Sequence, residues 1–381
     1  MPNLHAKLSA SGASRWMACP PSATYEQQFP EQESVYADEG TLAHAIANLL
    51  IQHKAFNIPL DKRMDEFKND PLFNEEMWGH VNNFADYVID KVRNTPGSIH
   101  LFLEERLDMR TWIPEGFGTS DVTMISDAAL EVVDYKHGKG VPVDVYENKQ
   151  LLTYALGALH EFGMLYDPKI VRVTVFQPRI DNIETYELST SDLIRWGNEV
   201  LKPAAELAWN GEGEFAAGDH CRFCRAKALC PTNAKYNLQL AKLAFADTEV
   251  ATVSDEHVVK ILARASSMKR WITSVEDMAL KMAIQGKVWP GMKLVAGRSI
   301  RKYTNEAEII KGLIADGVLE EEIVNKKLAG ITDLSSKITK LQYQQLVDPH
   351  VVKPPGKPTL VDENDKRPEW NANAKAKEVF D

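Results

Sequence analysis

Cysteine is scarce in this chain, four among 381 residues, which excludes a disulfide-built scaffold and leaves the thiols for metal binding or catalysis in a reducing compartment. Long apolar runs are missing: no stretch approaches the roughly 18 uninterrupted apolar residues of a membrane span, so no membrane association is expected. The opening MPNLHAKLSASGASRW lacks the basic-then-apolar layout of a secretory signal, and a cytoplasmic protein is expected. Basic charge is not in excess. The formal net charge of -10, from 44 Lys and Arg against 54 Asp and Glu, excludes a uniformly basic coat but not a local basic groove. There is no G-x-x-x-x-G-K-S/T loop, hence no helicase motor, and no internal repeat. What is present is 44% apolar residues, ample for a core, in a chain long enough for two or three domains at roughly 100–200 residues each.

Periodicity orders the first part of the chain. Residues 38–54 read as a helix with Leu42, Ile46, Leu49 and Leu50 on one face, and a polar, helix-prone stretch continues to about residue 95. Strands are expected at 99–107, 120–126 and 129–136, with Pro114, Gly116 and Gly118 in the first gap and Asp127-Ala128 as the second turn. Helical spacing returns at 147–163. A fourth strand follows in KIVRVTVFQPR, with Val171, Val173 and Val175 on one side, then a helix over 191–209 closed by Asn210-Gly211. A strand meander feeding a crossover helix and a further strand implies a mixed sheet flanked by helices, of the α/β or α+β class. Ser254 is placed to cap a long helix ending at Gly286. Beyond it come a basic strand-like piece, MKLVAGRSIRKY, short helices over about 305–346, and a Pro- and charge-rich tail from Val351. The expected units are 1–240, a helical region over 241–350, and the tail 351–381.

Chemistry gathers at the mouths of these elements. His44 lies on the first helix, Asp121 opens the second strand in GTSD, and Asp134 ends the third in VVDYK. Lys136, two residues on, faces the same way as Asp134 in an extended strand. Gln150 and Tyr154, four apart, share a face of the next helix. Carboxylates hold a hard divalent cation, the cation polarises a phosphodiester, and a lysine offsets charge developing on the phosphate. Each piece alone has a plainer explanation: a D-x-K is commonly an exposed ion pair, and a histidine on an apolar helix is commonly a satisfied core residue. The joint order is what carries weight.

In that order the sequence resembles the RecB-type branch of the PD-(D/E)xK nucleases, which includes the AddB-type helicase-nucleases and the CRISPR-associated iron–sulfur nucleases. The matching segments are GTLAH, GTSD, VVDYK and NKQLLTY. The resemblance implies a restriction-endonuclease-like core in which His44, Asp121, Asp134 and the Tyr135 carbonyl bind Mg²⁺ or Mn²⁺, Lys136 is catalytic, and Gln150 and Tyr154 complete the site. Asp134 stands where many relatives have Glu, and Glu104 or Glu105 is a candidate outer carboxylate. With its ASRWMACPPS opening the whole chain also looks like a phage- and prophage-encoded family found near recombination genes. That implies an exonuclease of DNA recombination or processing in the host cytoplasm, with DNA and a phage single-strand annealing protein as partners and oligomers possible.

Cys221, Cys224 and Cys230 form C-x2-C-x5-C, and Cys19 stands 202 positions before Cys221. Four soft ligands suffice for a tetrahedral zinc or an iron–sulfur cluster, and spacing alone favours zinc; the lesser alternative is that Cys19 is a small buried hydrophobe. The resemblance instead implies a 4Fe–4S cluster closing the two ends of the nuclease domain. Arg222, Phe223, Arg225, Lys227 and Lys235 around the triplet suit a DNA backbone path, or simply a solvated basic loop, and Arg298, Arg301 and Lys302 are a second candidate grip. The competing class is a non-catalytic nucleic-acid-binding or assembly protein with a structural metal staple. Colour and a nuclease assay separate the two.

Overall fold

A computed structural model describes residues 6–30, 35–60, 62–95, 97–245 and 255–292. In chain order the helices and strands are α1 (Ala13–Ala18), α2 (Ser22–Tyr25), α3 (Val35–Phe56), α4 (Lys62–Lys68), α5 (Glu75–Asn94), β1 (His100–Asp108), β2 (Phe117–Ile125), β3 (Ala129–Tyr135), α6 (Lys149–Tyr166), β4 (Ile170–Gln177), β5 (Asn182–Ser189), α7 (Thr190–Trp196), α8 (Lys202–Asn210), α9 (Pro231–Phe245) and α10 (Asp255–Ile284). The fold is a mixed α/β arrangement, a five-stranded sheet in the order β1-β2-β3-β4-β5 flanked by helices. β3 and β4 run parallel, joined by the α6 crossover, and the other pairs are antiparallel. Among the described residues no helix is long and apolar enough to cross a membrane.

Local signals explain the helices that frame the sheet. Asn148 caps α6 by accepting N–H bonds from Gln150 and Leu151, and Asn74 caps α5 by accepting from Met77. α5 also carries Glu75 and Glu76 in its first turn and Lys91 and Arg93 in its last, matching the helix dipole. Alternation along the central strands divides the core in two. Leu130, Val132, Val171, Val173 and Val175 pack with Leu151, Leu152 and Ala155 of α6; Val133, Tyr135 and Phe176 pack with Leu42, Ile46 and Leu50 of α3 and with Phe84 of α5. The strand β3 is buried on both faces because helices cover both.

Three expectations need correcting. The second strand starts at Phe117, so Asp121 lies mid-strand, and Gly118 pairs with Leu107 inside β2 instead of punctuating the gap. A Cβ on Gly118 would sit 2.9 Å from the Tyr154 ring, so the glycine serves close packing under α6 and not a turn. A fifth strand follows β4. The helix expected over 191–209 is α7 and α8 joined through one π-turn at Gly197–Leu201, and Gly211 closes it with φ 71°. The long helix expected to end at Gly286 is α10, with Gly286 at φ 97°. Ser254, the strand-like piece after residue 292, the helices over 305–346 and the tail lie outside the described residues, as do Arg298, Arg301 and Lys302.

Candidate functional site

The site forms where the sheet forks. β2 and β3 are paired from Ile125↔Leu130 to Val122↔Val133 and then separate, so Asp121 and Asp134 flank the opening. Across the gap, the Tyr135 N–H donates to Asp121 Oδ2 at 2.7 Å, a side-chain bond taking the place of the next ladder bond. On the other side of Asp121 the β1–β2 ladder is interrupted at Glu104, whose φ of 50° is left-handed in the middle of a strand. Such a conformation is strained for glutamate and clusters at functional sites. His44 enters from α3, its Nδ1 3.3 Å from Asp121 Oδ1. One donor atom each from His44, Glu104 and Asp121 lies within 4.8 Å of the others. Glu104 is thus the neighbouring glutamate that joins the site, while Glu105 stays in the ladder opposite Ser120.

The second half lies on the α6 side of β3. Lys136 Nζ is 3.0 Å from Asp134 Oδ2 and donates to Gln150 Oε1 at 3.3 Å; Gln150 Nε2 donates to Asp134 Oδ1 at 3.0 Å. Gln150 therefore fixes the acid and the lysine at once, and Tyr154 lies buried one turn further along α6. Asp134 Oδ2 is buried without a hydrogen bond and has only the nearby ammonium for company. Tyr135 takes part through its backbone, since its ring is buried toward α3 and α5 with its hydroxyl 2.9 Å from His137 Nδ1.

Electrostatics describe a site with too much negative charge in too little water. Burial pushes the Asp134 pKa up, opposed by Lys136 and reinforced by Asp121. Burial and the charge of Asp121 raise Glu104 to about 7. Burial works against the charged form of Asp121 as well, but His44 and Lys136 win and hold it below its ordinary value. Burial likewise disfavours the cations, yet Asp121 raises His44 to about 9, and Asp134 and Asp121 raise Lys136. Burial, helped by Asp134 and Asp121, keeps the Tyr154 phenol neutral. A divalent cation fits this set. It would replace the protons on His44 and Glu104, and one imidazole nitrogen with several carboxylate oxygens suits Mn²⁺ or Mg²⁺.

The packing that sets Tyr154 gives a first test. Gly118→Ala forces a methyl against that ring, and we expect a loss of about 1–3 kcal/mol in denaturant unfolding. An unchanged midpoint would show that the ring has room to move.

All four cysteines are unpaired and line one small cavity, joined there by His220. Cys19 caps the end of α1 and is buried; the other three come from a 3₁₀ turn at Asp219–Phe223 and the turns that follow it before α9. Glu26 ties the two regions by accepting the Arg225 N–H. Hydrogen bonds with Cys19 and then Cys221 raise His220 to about 10; Cys19 is lowered by the same imidazole against the opposing effect of burial, while burial raises Cys224 to about 11. Among the described residues no three of the sulfurs lie within 4.8 Å of one another.

A family model described as "Protein of unknown function (DUF2800)" matches residues 5–368. Among solved structures, one described as "Crystal structure of SSO0001" is similar over 58% of this chain and 96% of its own, at 12% identity and a TM-score of 0.22, a superposition too loose to carry an argument.

Proposed function

The chain belongs to this DUF2800 family of unknown function, and from its site we propose that it is a metal-dependent DNA nuclease hydrolysing phosphodiester bonds. The observation that carries the reading is the convergence of His44, Glu104 and Asp121 within 4.8 Å, beside an acid–lysine–amide set formed by Asp134, Lys136 and Gln150. Asp134 and the Tyr135 carbonyl complete the proposed metal set. A bound Mg²⁺ or Mn²⁺ would polarise the phosphate and acidify a water. The chain's own residues do the rest. Lys136, kept protonated by the two aspartates, offsets charge on the phosphate oxygens. Gln150 aims it, and Tyr154, neutral and buried, supports Gln150 from one turn away. The exonuclease mode, the place in phage recombination and the annealing-protein partner rest on resemblance alone. A 4Fe–4S cluster, as opposed to zinc, on the four cysteines that share this cavity rests on the resemblance. Purified protein should then be brown and contain iron; colourless, zinc-loaded protein would overturn that assignment.

Release of acid-soluble nucleotides from labelled DNA, dependent on Mg²⁺ or Mn²⁺, tests the activity. Proton linkage tests the site itself. With His44 at about 9 and Glu104 at about 7, metal binding at pH 7 should release the His44 proton and part of the Glu104 proton, and affinity should rise with pH until His44 has titrated. Titration calorimetry in two buffers of different ionisation enthalpy reads this directly. Mn²⁺ binding with no proton release would remove His44 from the ligand set.

A further inference from the structure

A groove of about 480 Å³ runs between the 3₁₀ turn that carries Cys221, the start of α9 and the middle of α10. Arg222, Lys227, Lys269 and Arg270 line it, against two acids, Asp219 and Asp277, so cations prevail. Arg270 reaches Asp219 at only 3.5 Å with that carboxylate almost wholly exposed, a contact water weakens and a phosphate can displace. Phe223 lies 68% exposed at the rim with the Arg222 guanidinium 5.5 Å from its ring. Inside, the Trp271 indole N–H is shielded from solvent yet has no hydrogen-bond partner among the described residues.

We propose that this groove binds an unpaired stretch of DNA, with phosphates on the basic side chains and a base against Phe223 or Trp271. The proposal rests on the nuclease reading for its choice of DNA. Exposed aromatics beside cations are the chemistry of single-strand binding, because every unstacked base offers a π-face while a duplex keeps its bases stacked inside. The volume agrees: a cavity in the range of roughly 300–1,000 Å³ accepts a small-molecule-sized body, such as one or two nucleotides, and not a double helix. The strand would enter beside the cysteine site, which makes the loop between Cys221 and Cys230 part of the substrate path as well as a staple.

Fluorescence anisotropy on the full chain as purified, in EDTA so that no cleavage occurs, compares a labelled oligothymidine with a blunt hairpin duplex. The single strand should bind more tightly. Phe223→Ala should weaken it about tenfold. The Lys269→Glu, Arg270→Glu double variant should weaken it further and flatten the log–log salt dependence by about 1.4, as expected for two lost phosphate contacts on a single strand. Phe223 is exposed, so its replacement leaves the fold intact. Unchanged affinity in both variants, or equal binding of the duplex, would overturn the groove. Groove binding without metal-dependent cleavage would overturn only the nuclease reading; cleavage with unaltered variants would overturn only the groove.

Discussion

Lys136→Ala is expected to lower the rate of DNA cleavage by about 10²–10³-fold at saturating metal, the usual cost of removing one charge aimed at a transition state. The lysine is placed for that role and not as a ligand: its protonated ammonium contacts Asp134 and Gln150 and has no lone pair to offer a metal. Metal affinity should therefore hold, or tighten slightly with a competing cation gone, and the loss should fall on kcat. The variant also leaves Asp134 buried with only the Gln150 amide. An acid whose folded pKa already exceeds its unfolded value destabilises the fold once ionised. That penalty is absent below the ordinary aspartate value and grows as pH rises through the raised one. The variant should thus be less stable at neutral pH and recover on acidification, so melting curves must accompany the rates. Near wild-type turnover in folded Lys136→Ala protein would end the assignment of Lys136.

Cys19→Ser should lose bound iron and stability together. The residue lies at the end of α1, whereas its partners follow α8, so the proposed shared metal group would close a loop of about 200 residues around the whole sheet. If the group acts as one covalent crosslink, the lost loop-closure entropy is worth about 4–5 kcal/mol. Cys221→Ser, Cys224→Ser and Cys230→Ser should behave alike, because the four thiols share one cavity. Activity should fall through loosening of the domain and partly return at low temperature. Unchanged iron per chain with an unchanged thermal midpoint would mean that Cys19 is a buried small side chain and the fourth ligand lies elsewhere.

How far the sequence alone reaches differs between residues for physical reasons. The apolar face of α3, the alternation in β4, the apolar run of β3 and the crossover helix α6 are strong signals, and the fold brings His44, Asp121, Asp134, Lys136, Gln150 and Tyr154 to one opening. β5 is not readable in the same way: as an edge strand it is polar and largely exposed, so NIETYELS shows no buried stripe. α1 and α2 are six and four residues long and owe their helicity to packing, Trp16 and Ala23 being buried in the α6 core. Glu104 is half legible. Its side chain joins Asp121 because the backbone turns left-handed at that residue, and nothing local in LEERL announces a positive φ. His220 between two thiols is a product of the fold that brings residue 19 to residue 221.

The most direct test of the central claim compares wild-type and Asp121→Asn protein in one Mn²⁺ titration of DNA cleavage. Asparagine keeps an oxygen to accept the Tyr135 N–H, so the fork in the sheet survives while the carboxylate charge is lost. Cleavage that saturates with Mn²⁺ in the wild type and is absent in the folded variant is the predicted result. Equal cleavage by both proteins, or none by the wild type with Mn²⁺ bound, would contradict the account.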